Sequence, residues 1–304
     1  MSSAAFSAPS AGDSVPRHAR RHIFAGAAAA SVLGLTGCGL AGDDDRTITM
    51  IVTESAPFQE PTELVKEQLE EDGWTLETTY VTDIIQPNQA VAQGEYDANF
   101  FQHISYLRQF NEDNDTEVTP AFSVYYAPSG IFSLEHDSVD EIPEGAQIAI
   151  PVDTSNNGRA LKMLADEGLI EVDESQDVTD LSQSDITDNP RNIEFIEVDQ
   201  QSTPQSLPDV DAAFAFARLV AEADYDVEGT ALIMEDDPEV ETPYTVVVAA
   251  QPGFEETEKA EVLQEAFQSE EVEQWYADYL GGTVEYSDAF TTENIETIWG
   301  EFAG

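Results

Sequence analysis

The feature that most constrains this chain is a strand–helix–strand rhythm that runs once, is interrupted, and then runs again. Thr47–Thr53 alternates and is β-branched, which marks a strand. Pro61, then Leu64, Val65 and Leu69, predicts an amphipathic helix that starts at the proline and ends near Gly73. Leu76–Val81 reads as a second strand, Pro87–Gln93 as a short helix stopped by Gly94, and Asp97–Phe101 as a third strand. After an extended stretch, Val124–Leu134, the rhythm restarts. Gln147–Pro151 reads as a strand, Gly158–Glu167 as a helix stopped by Gly168, and 193–198, 210–216 and 231–234 as further strands. Thr245–Ala250 is a long apolar strand, followed by helices at 256–268 and 272–280. Alternation of this kind implies α/β architecture with mainly parallel sheets covered by helices. Two such units joined by two extended connections predict two lobes, with 47–126 plus 250–304 in the first and 127–249 in the second. A ligand cleft is then expected between them, at the carboxyl ends of the parallel strands.

The N-terminus has a different logic. Arg17, Arg20 and Arg21 precede an apolar, Ala/Gly-rich run, Ile23–Leu35, of about 13 residues, too short to span a bilayer of about 30 Å. Leu35-Thr36-Gly37-Cys38 closes it and contains the one cysteine of the chain. Small residues ending at a cysteine resemble a lipobox, in which the thiol is acylated and becomes the mature N-terminus. A plain secretory signal with an incidental cysteine is the alternative. Residues 1–37 are expected to be a lipoprotein signal peptide and 38–46 a lipidated tether. Arg20-Arg21 leaves open a twin-arginine export route beside the general one.

Composition narrows the chemistry. The 304 residues hold 62 Asp and Glu against 11 Lys and Arg, a net charge of −51. The acids are scattered, not gathered into a tail, which implies a solvated acidic surface and a halophilic or halotolerant source. Such a surface disfavours nucleic acid and anionic lipid headgroups. If Cys38 is lipidated, no thiol remains for a disulfide, a nucleophile or a metal. His103 and His136 are too few and too far apart for a metal-ligand spacing, and Asn111–Asp115 lacks the mid-loop glycine and terminal glutamate of a calcium loop. No Gly-x-Ser-x-Gly elbow and no Gly-rich phosphate loop is present. An enzyme is therefore not expected, and neither a cofactor nor a metal is implied.

Three segments depart from the background. Asp97-Ala98-Asn99-Phe100-Phe101-Gln102-His103-Ile104-Ser105-Tyr106-Leu107 sets aromatic rings with polar tips beyond a strand end. The same residues would serve as core aromatics with one bonded histidine. Pro151-Val152-Asp153-Thr154-Ser155-Asn156-Asn157-Gly158-Arg159-Ala160-Leu161 runs from a strand into a capped helix start, a setting that favours an anion, with Arg159 able to grip a carboxylate. A surface ion pair of Arg159 is the alternative. Asp209-Val210-Asp211-Ala212-Ala213-Phe214-Ala215-Phe216-Ala217-Arg218 is a buried strand ending in an arginine, which would otherwise be a rim residue paired with an acid.

Taken together, these strings resemble the methionine-binding lipoproteins that feed ABC importers. Pro87-Asn88, Asp97–His103, Ile148-Ala149-Ile150-Pro151, Ser155-Asn156 with Gly158-Arg159-Ala160-Leu161, and Val210-Asp211-Ala212-Ala213 carry the likeness, which extends from Ile48 to the C-terminal helices. The resemblance implies a two-lobed periplasmic-binding-protein-like fold of type 2 that closes on an amino acid. It implies that Phe101, His103 and Tyr106 line the ligand's side chain and that Asn156 and Arg159 hold its carboxylate. Capture of methionine or a related compound, and delivery to a membrane permease with its ATPase, is the implied function. The protein would be monomeric and lipid-anchored through Cys38 on the extracytoplasmic face of the cell membrane. A binding protein for another small carboxylate, or an adhesin, is the alternative. The family often has a tyrosine at Ile84 and a histidine at Phe58, and usually an asparagine facing the ligand's amino group at Arg218. A cation facing an ammonium in a dry cleft is unfavourable. Arg218 therefore turns outward, or the ligand is not a simple α-amino acid, or the register shifts by a residue or two.

Overall fold

The computed structural model describes residues 46–235 and 241–303. The expected signal peptide, Arg20-Arg21, Cys38 and the tether up to residue 45 lie outside the described residues. Among the described residues no helix is long and apolar enough to cross a membrane.

The first half opens with strand β1 (Thr47–Thr53), helix α1 (Ala56–Glu71), β2 (Thr75–Val81), α2 (Gln86–Ala92), β3 (Ala98–His103), α3 (Ile104–Asn114) and β4 (Thr119–Tyr126). The second half has β5 (Ser129–Phe132), β6 (Gln147–Pro151), α4 (Thr154–Asp166), a small β7–β8 pair (Glu171–Val172, Ile186–Asp188) and β9 (Glu194–Val198). It continues with α5 (Thr203–Ser206), β10 (Ala212–Phe216), α6 (Ala217–Glu222), α7 (Val227–Thr230), β11 (Ala231–Met234) and α8 (Glu241–Tyr244). Then come β12 (Thr245–Ala250), α9 (Glu258–Phe267), α10 (Glu270–Asp278), β13 (Glu285–Tyr286) and α11 (Ile295–Ala303).

Two main sheets result, ordered β13-β4-β12-β3-β1-β2 and β11-β5-β10-β6-β9. The expectation of mainly parallel sheets is only half met. β1 pairs in parallel with β2 and β3, and β6 with β9 and β10. β12, β4 and β13 in one sheet, and β5 and β11 in the other, pair antiparallel. For β5 the reason lies in the crossing between sheets: it follows β4 through Ala127 and Pro128 alone, so it enters the second sheet where β10 ends, Ser129 opposite Phe216, and runs back against it. β12 belongs wholly to the first sheet, so the return from the second sheet precedes Thr245 and is not at 249/250. Each sheet has its own apolar core. Ile48, Phe100, Phe122 and Val248 pack with Leu263, Phe267 and Tyr276 of α9 and α10 on the first sheet. Ile148, Ile150, Leu161, Leu164 and Phe214 form the second. Both sheets lie within one compact unit, Asp44–Gly304.

Pro61 does not start α1. The helix begins at Ala56, with Pro57 in its first turn and Pro61 inside it. Pro61 has no N–H to give the carbonyl four residues back. Tyr276 of α10 supplies that donor: its hydroxyl donates to Pro57 O at 2.7 Å. A long-range hydrogen bond thus repairs a local defect that made the sequence look like a helix start.

Candidate functional site

A cavity of about 460 Å³ opens at the carboxyl ends of β1, β2, β3, β9 and β10, and both sheets contribute walls. That volume falls in the range of small-molecule sites, about 300–1,000 Å³.

β3 and the first turn of α3 build the aromatic wall. The ladder between β3 and β12 pairs Val247 with Gln102 and Val248 with Phe100, so Phe101 has no cross-strand partner. This bulge re-aims Phe101 into the cavity. His103 ends the strand and caps α3, its Nδ1 accepting from the Tyr106 backbone N–H at 3.1 Å. With Nδ1 an acceptor, the ring proton sits on Nε2, which donates to Asn156 Oδ1 at 3.2 Å. Burial, and next the Arg159 charge, lower the His103 pKa from 6.5 to about 3, so the imidazole is neutral. The Tyr106 ring meets Phe101 edge-on at 5.8 Å, and its hydroxyl donates to Ile84 O at 3.2 Å. Burial, reinforced by Asp153 and Asp83, raises the Tyr106 pKa, which keeps the phenol protonated.

The structure therefore brings Phe101, His103, Tyr106 and Arg218 onto one wall system. Asn156 and Arg159 stand one layer behind, and neither lines the cavity. Asn156 is buried at the start of α4, donating to Asp153 Oδ1 and Gln200 Oε1, each at 2.8 Å, while it accepts from His103. Asp153 caps the helix by accepting from the Asn156 N–H at 3.0 Å, and burial raises its pKa. Arg159 is 2% exposed and already grips a carboxylate, that of Glu235: its Nε donates at 2.8 Å and its Nη2 to the second oxygen. Nη2 also donates to Ala127 O and Tyr126 OH, each at 3.2 Å, and the guanidinium lies 4.0 Å from the Tyr244 ring centroid.

Arg218 points inward. It is 2% exposed, lines the cavity, and sits 5.9 Å from the Phe58 ring centroid and 5.8 Å from that of Phe216. The other two positions where the chain departs from the resembling family, Phe58 and Ile84, also line the cavity.

Sequence reasoning did not mark Tyr125, Phe216, Tyr244, Gln200 or the acids Glu54, Asp83 and Asp199, all on the cavity wall. Glu54, Asp83, Asp199 and Phe216 lie at or just past strand ends, where the cleft rule could have found them. Tyr244 precedes its strand and carried no signal, and Glu235, although it directly follows β11, is one acid among 62. The strings that carry the resemblance divide between site and scaffold. Asn88, Asn99 and Gln102 form a buried amide cluster, with bonds of 2.6–3.0 Å, that fastens α2 to β3. Asp97 accepts from the Thr49 N–H at 2.8 Å and from Lys259 Nζ at 3.0 Å, tying α9 to the sheet.

Among the described residues one trio could present metal ligands, Glu135, His136 and Asp211, with candidate atoms within 4.8 Å of one another. It lies outside the cavity wall, and Asp211 is occupied by the Gln147 N–H at 2.7 Å.

Two α/β lobes with a ligand cavity at their strand ends define the substrate-binding-protein class. The chain matches the NlpA lipoprotein family over residues 49–286 and belongs to that family. It is 28% identical to the methionine-binding lipoprotein MetQ of Bacillus subtilis, over 86% of this chain and 94% of the relative. It is also 28% identical to the D-methionine-binding lipoprotein MetQ of Escherichia coli K12, over 79% and 88%. Among solved structures, it resembles a nutrient binding protein from Burkholderia cenocepacia bound to methionine, with TM-score 0.72, 27% identity, and 79% and 99% of the two chains covered. The substrate binding protein of a methionine transporter from Streptococcus pneumoniae gives TM-score 0.71 at 29% identity, covering 79% and 95%. These likenesses bear out the two-lobed periplasmic-binding-protein-like fold.

Proposed function

We propose that this protein is the extracytoplasmic, lipid-anchored substrate-binding component of an ABC importer, and that it captures methionine or a close relative. The observation that carries the reading is the cavity at the strand ends, whose wall combines the Phe58, Phe101 and Tyr106 rings with polar and charged groups. Rings of that kind suit a flexible apolar side chain, and the polar groups suit a zwitterionic head. His103, held neutral and fixed as an Nε2–H donor, keeps the aromatic wall in place without adding charge. Asn156 and Arg159 support the wall from behind, the first through His103 and the second through the Tyr244 ring.

Ligand that touches both sheets is bound more tightly in a closed arrangement, so binding shifts the population towards closure. Ala127 and Pro128 are the short link about which such closure would turn. The closed form is what a permease, driven by its ATPase, would recognise. Cys38, acylated, would hold the protein at the membrane, with the residues after it as a leash.

The test is mass spectrometry of small molecules released from the purified protein on denaturation, together with calorimetry against L- and D-methionine and a panel of other amino acids. Micromolar or tighter binding of methionine supports the reading. Saturable binding of a different ligand class, with none of methionine, overturns it. For the anchor, Cys38→Ala expressed in the native host should move the protein from the membrane fraction to the medium, and unchanged membrane retention would reject lipidation.

A further inference from the structure

Two guanidiniums flank Phe216, each 5.8 Å from its ring centroid, and the fold treats them differently. Arg159 is closed by Glu235, whose side chain is only 5% exposed and which takes two of its donors. One Nη of Arg159 has no hydrogen-bond partner among the described residues, but its charge is matched within a buried pair and the residue is absent from the cavity wall. Among the described residues Arg218 has one acidic partner, Glu222, bonded through a single Nη1 at 3.0 Å. Glu222 is 31% exposed and shares the same oxygen with the Tyr279 hydroxyl at 2.8 Å. The Arg218 Nε is buried and has no hydrogen-bond partner among the described residues. Among the described residues that line the cavity, Arg218 is the one permanent cation, against Glu54, Asp83 and Asp199.

A buried guanidinium with an open donor and a weak, solvent-facing counter-charge is a receptor for an anion, because a second carboxylate would satisfy what the first leaves unmet. We propose that Arg218 anchors the ligand's carboxylate in this protein, with any ammonium group turned to the acids of the opposite charge on the same wall. The site is thereby selective for carboxylates with an apolar tail and rejects the corresponding amines. This assignment rests on the small-molecule capture proposed above and adds the orientation of the ligand. It also removes the conflict of a cation facing an ammonium, since the head group is reversed at this position.

Three probes decide it by calorimetry on the folded chain in high salt: L-methionine, 4-(methylthio)butanoate, which lacks the ammonium, and 3-(methylthio)propylamine, which lacks the carboxylate. The wild type should bind the first two and not the amine. Arg218→Gln should weaken L-methionine and the butanoate by 100-fold or more, and Arg218→Lys by less. Glu222→Gln, which frees the guanidinium, should tighten the butanoate several-fold, an effect that a purely structural arginine would not produce. Should Arg218→Gln fail to fold, as judged by its thermal melt, the Lys and Glu222 variants and the wild-type probe series still decide. Equal affinity in wild type and Arg218→Gln, or an amine that binds as well as L-methionine, overturns the role of Arg218 alone. A wild type that binds none of the three overturns the methionine-type reading and this ligand class with it.

Discussion

His103 and Asn156 meet across the two sheets, Nε2 to Oδ1 at 3.2 Å, one at the end of a strand of the first sheet and the other at the helix start that follows a strand of the second. The contact is made by a neutral imidazole, because burial and the neighbouring Arg159 lower the His103 pKa to about 3. The unfolded chain takes up this proton near pH 6.5, whereas the folded chain does not until about pH 3. The folded state is therefore unpenalised above pH 6.5 and loses stability as pH falls through that window, at up to about 1.4 kcal/mol per pH unit. His103→Gln should flatten the stability–pH curve between pH 6.5 and 4, measured by denaturant unfolding at each pH. A variant curve parallel to that of the wild type would show that His103 is not buried as a neutral ring.

Arg159 and Glu235 form a buried pair, and a pair of this kind is costly to break by halves. Arg159→Met leaves Glu235 without a counter-charge and should destabilise by about 3–5 kcal/mol. Adding Glu235→Gln should restore a large part of that loss. If the double variant is no more stable than the single in denaturant unfolding, the two residues are not coupled.

Gly158 sits inside α4, where alanine would ordinarily stabilise a helix by about 1 kcal/mol. Here a Cβ would lie 2.0 Å from Val178 O and 3.0 Å from Leu181 O. Gly158→Ala should therefore destabilise, by at least the 1–3 kcal/mol that is typical (about) of overpacking. A melting temperature equal to or above that of the wild type would contradict the close approach of the 178–181 segment.

The net charge of −51 predicts that folding depends on salt. At about 1 M the Debye length is about 3 Å, and most repulsion between exposed acids is screened. The melting temperature should rise steadily from low salt to molar potassium chloride. A flat profile would mean that the acidic surface does not burden the fold.

Much of this molecule is written locally. Strand periodicity places β1, β6, β11 and β12 where they are observed, and the rule that clefts form at strand ends marks the segments that hold His103, Tyr106 and Arg218, because both signals depend on near neighbours in the chain; the placing of Phe101, His103 and Tyr106 in a pocket comes from the family resemblance. What failed depended on distant ones. The bulge that turns Phe101 into the cavity is a mismatch with β12, about 145 residues further on in the sequence. Pro61 is accommodated by a hydroxyl from α10. Above all, Arg159 and Arg218 look alike in sequence, each an arginine that follows an apolar strand. Only folding decides that Glu235 closes the first while Glu222 leaves the second partly open. In a chain with 62 acids, composition offers every arginine a partner, and desolvation in the folded state selects which pairing is complete.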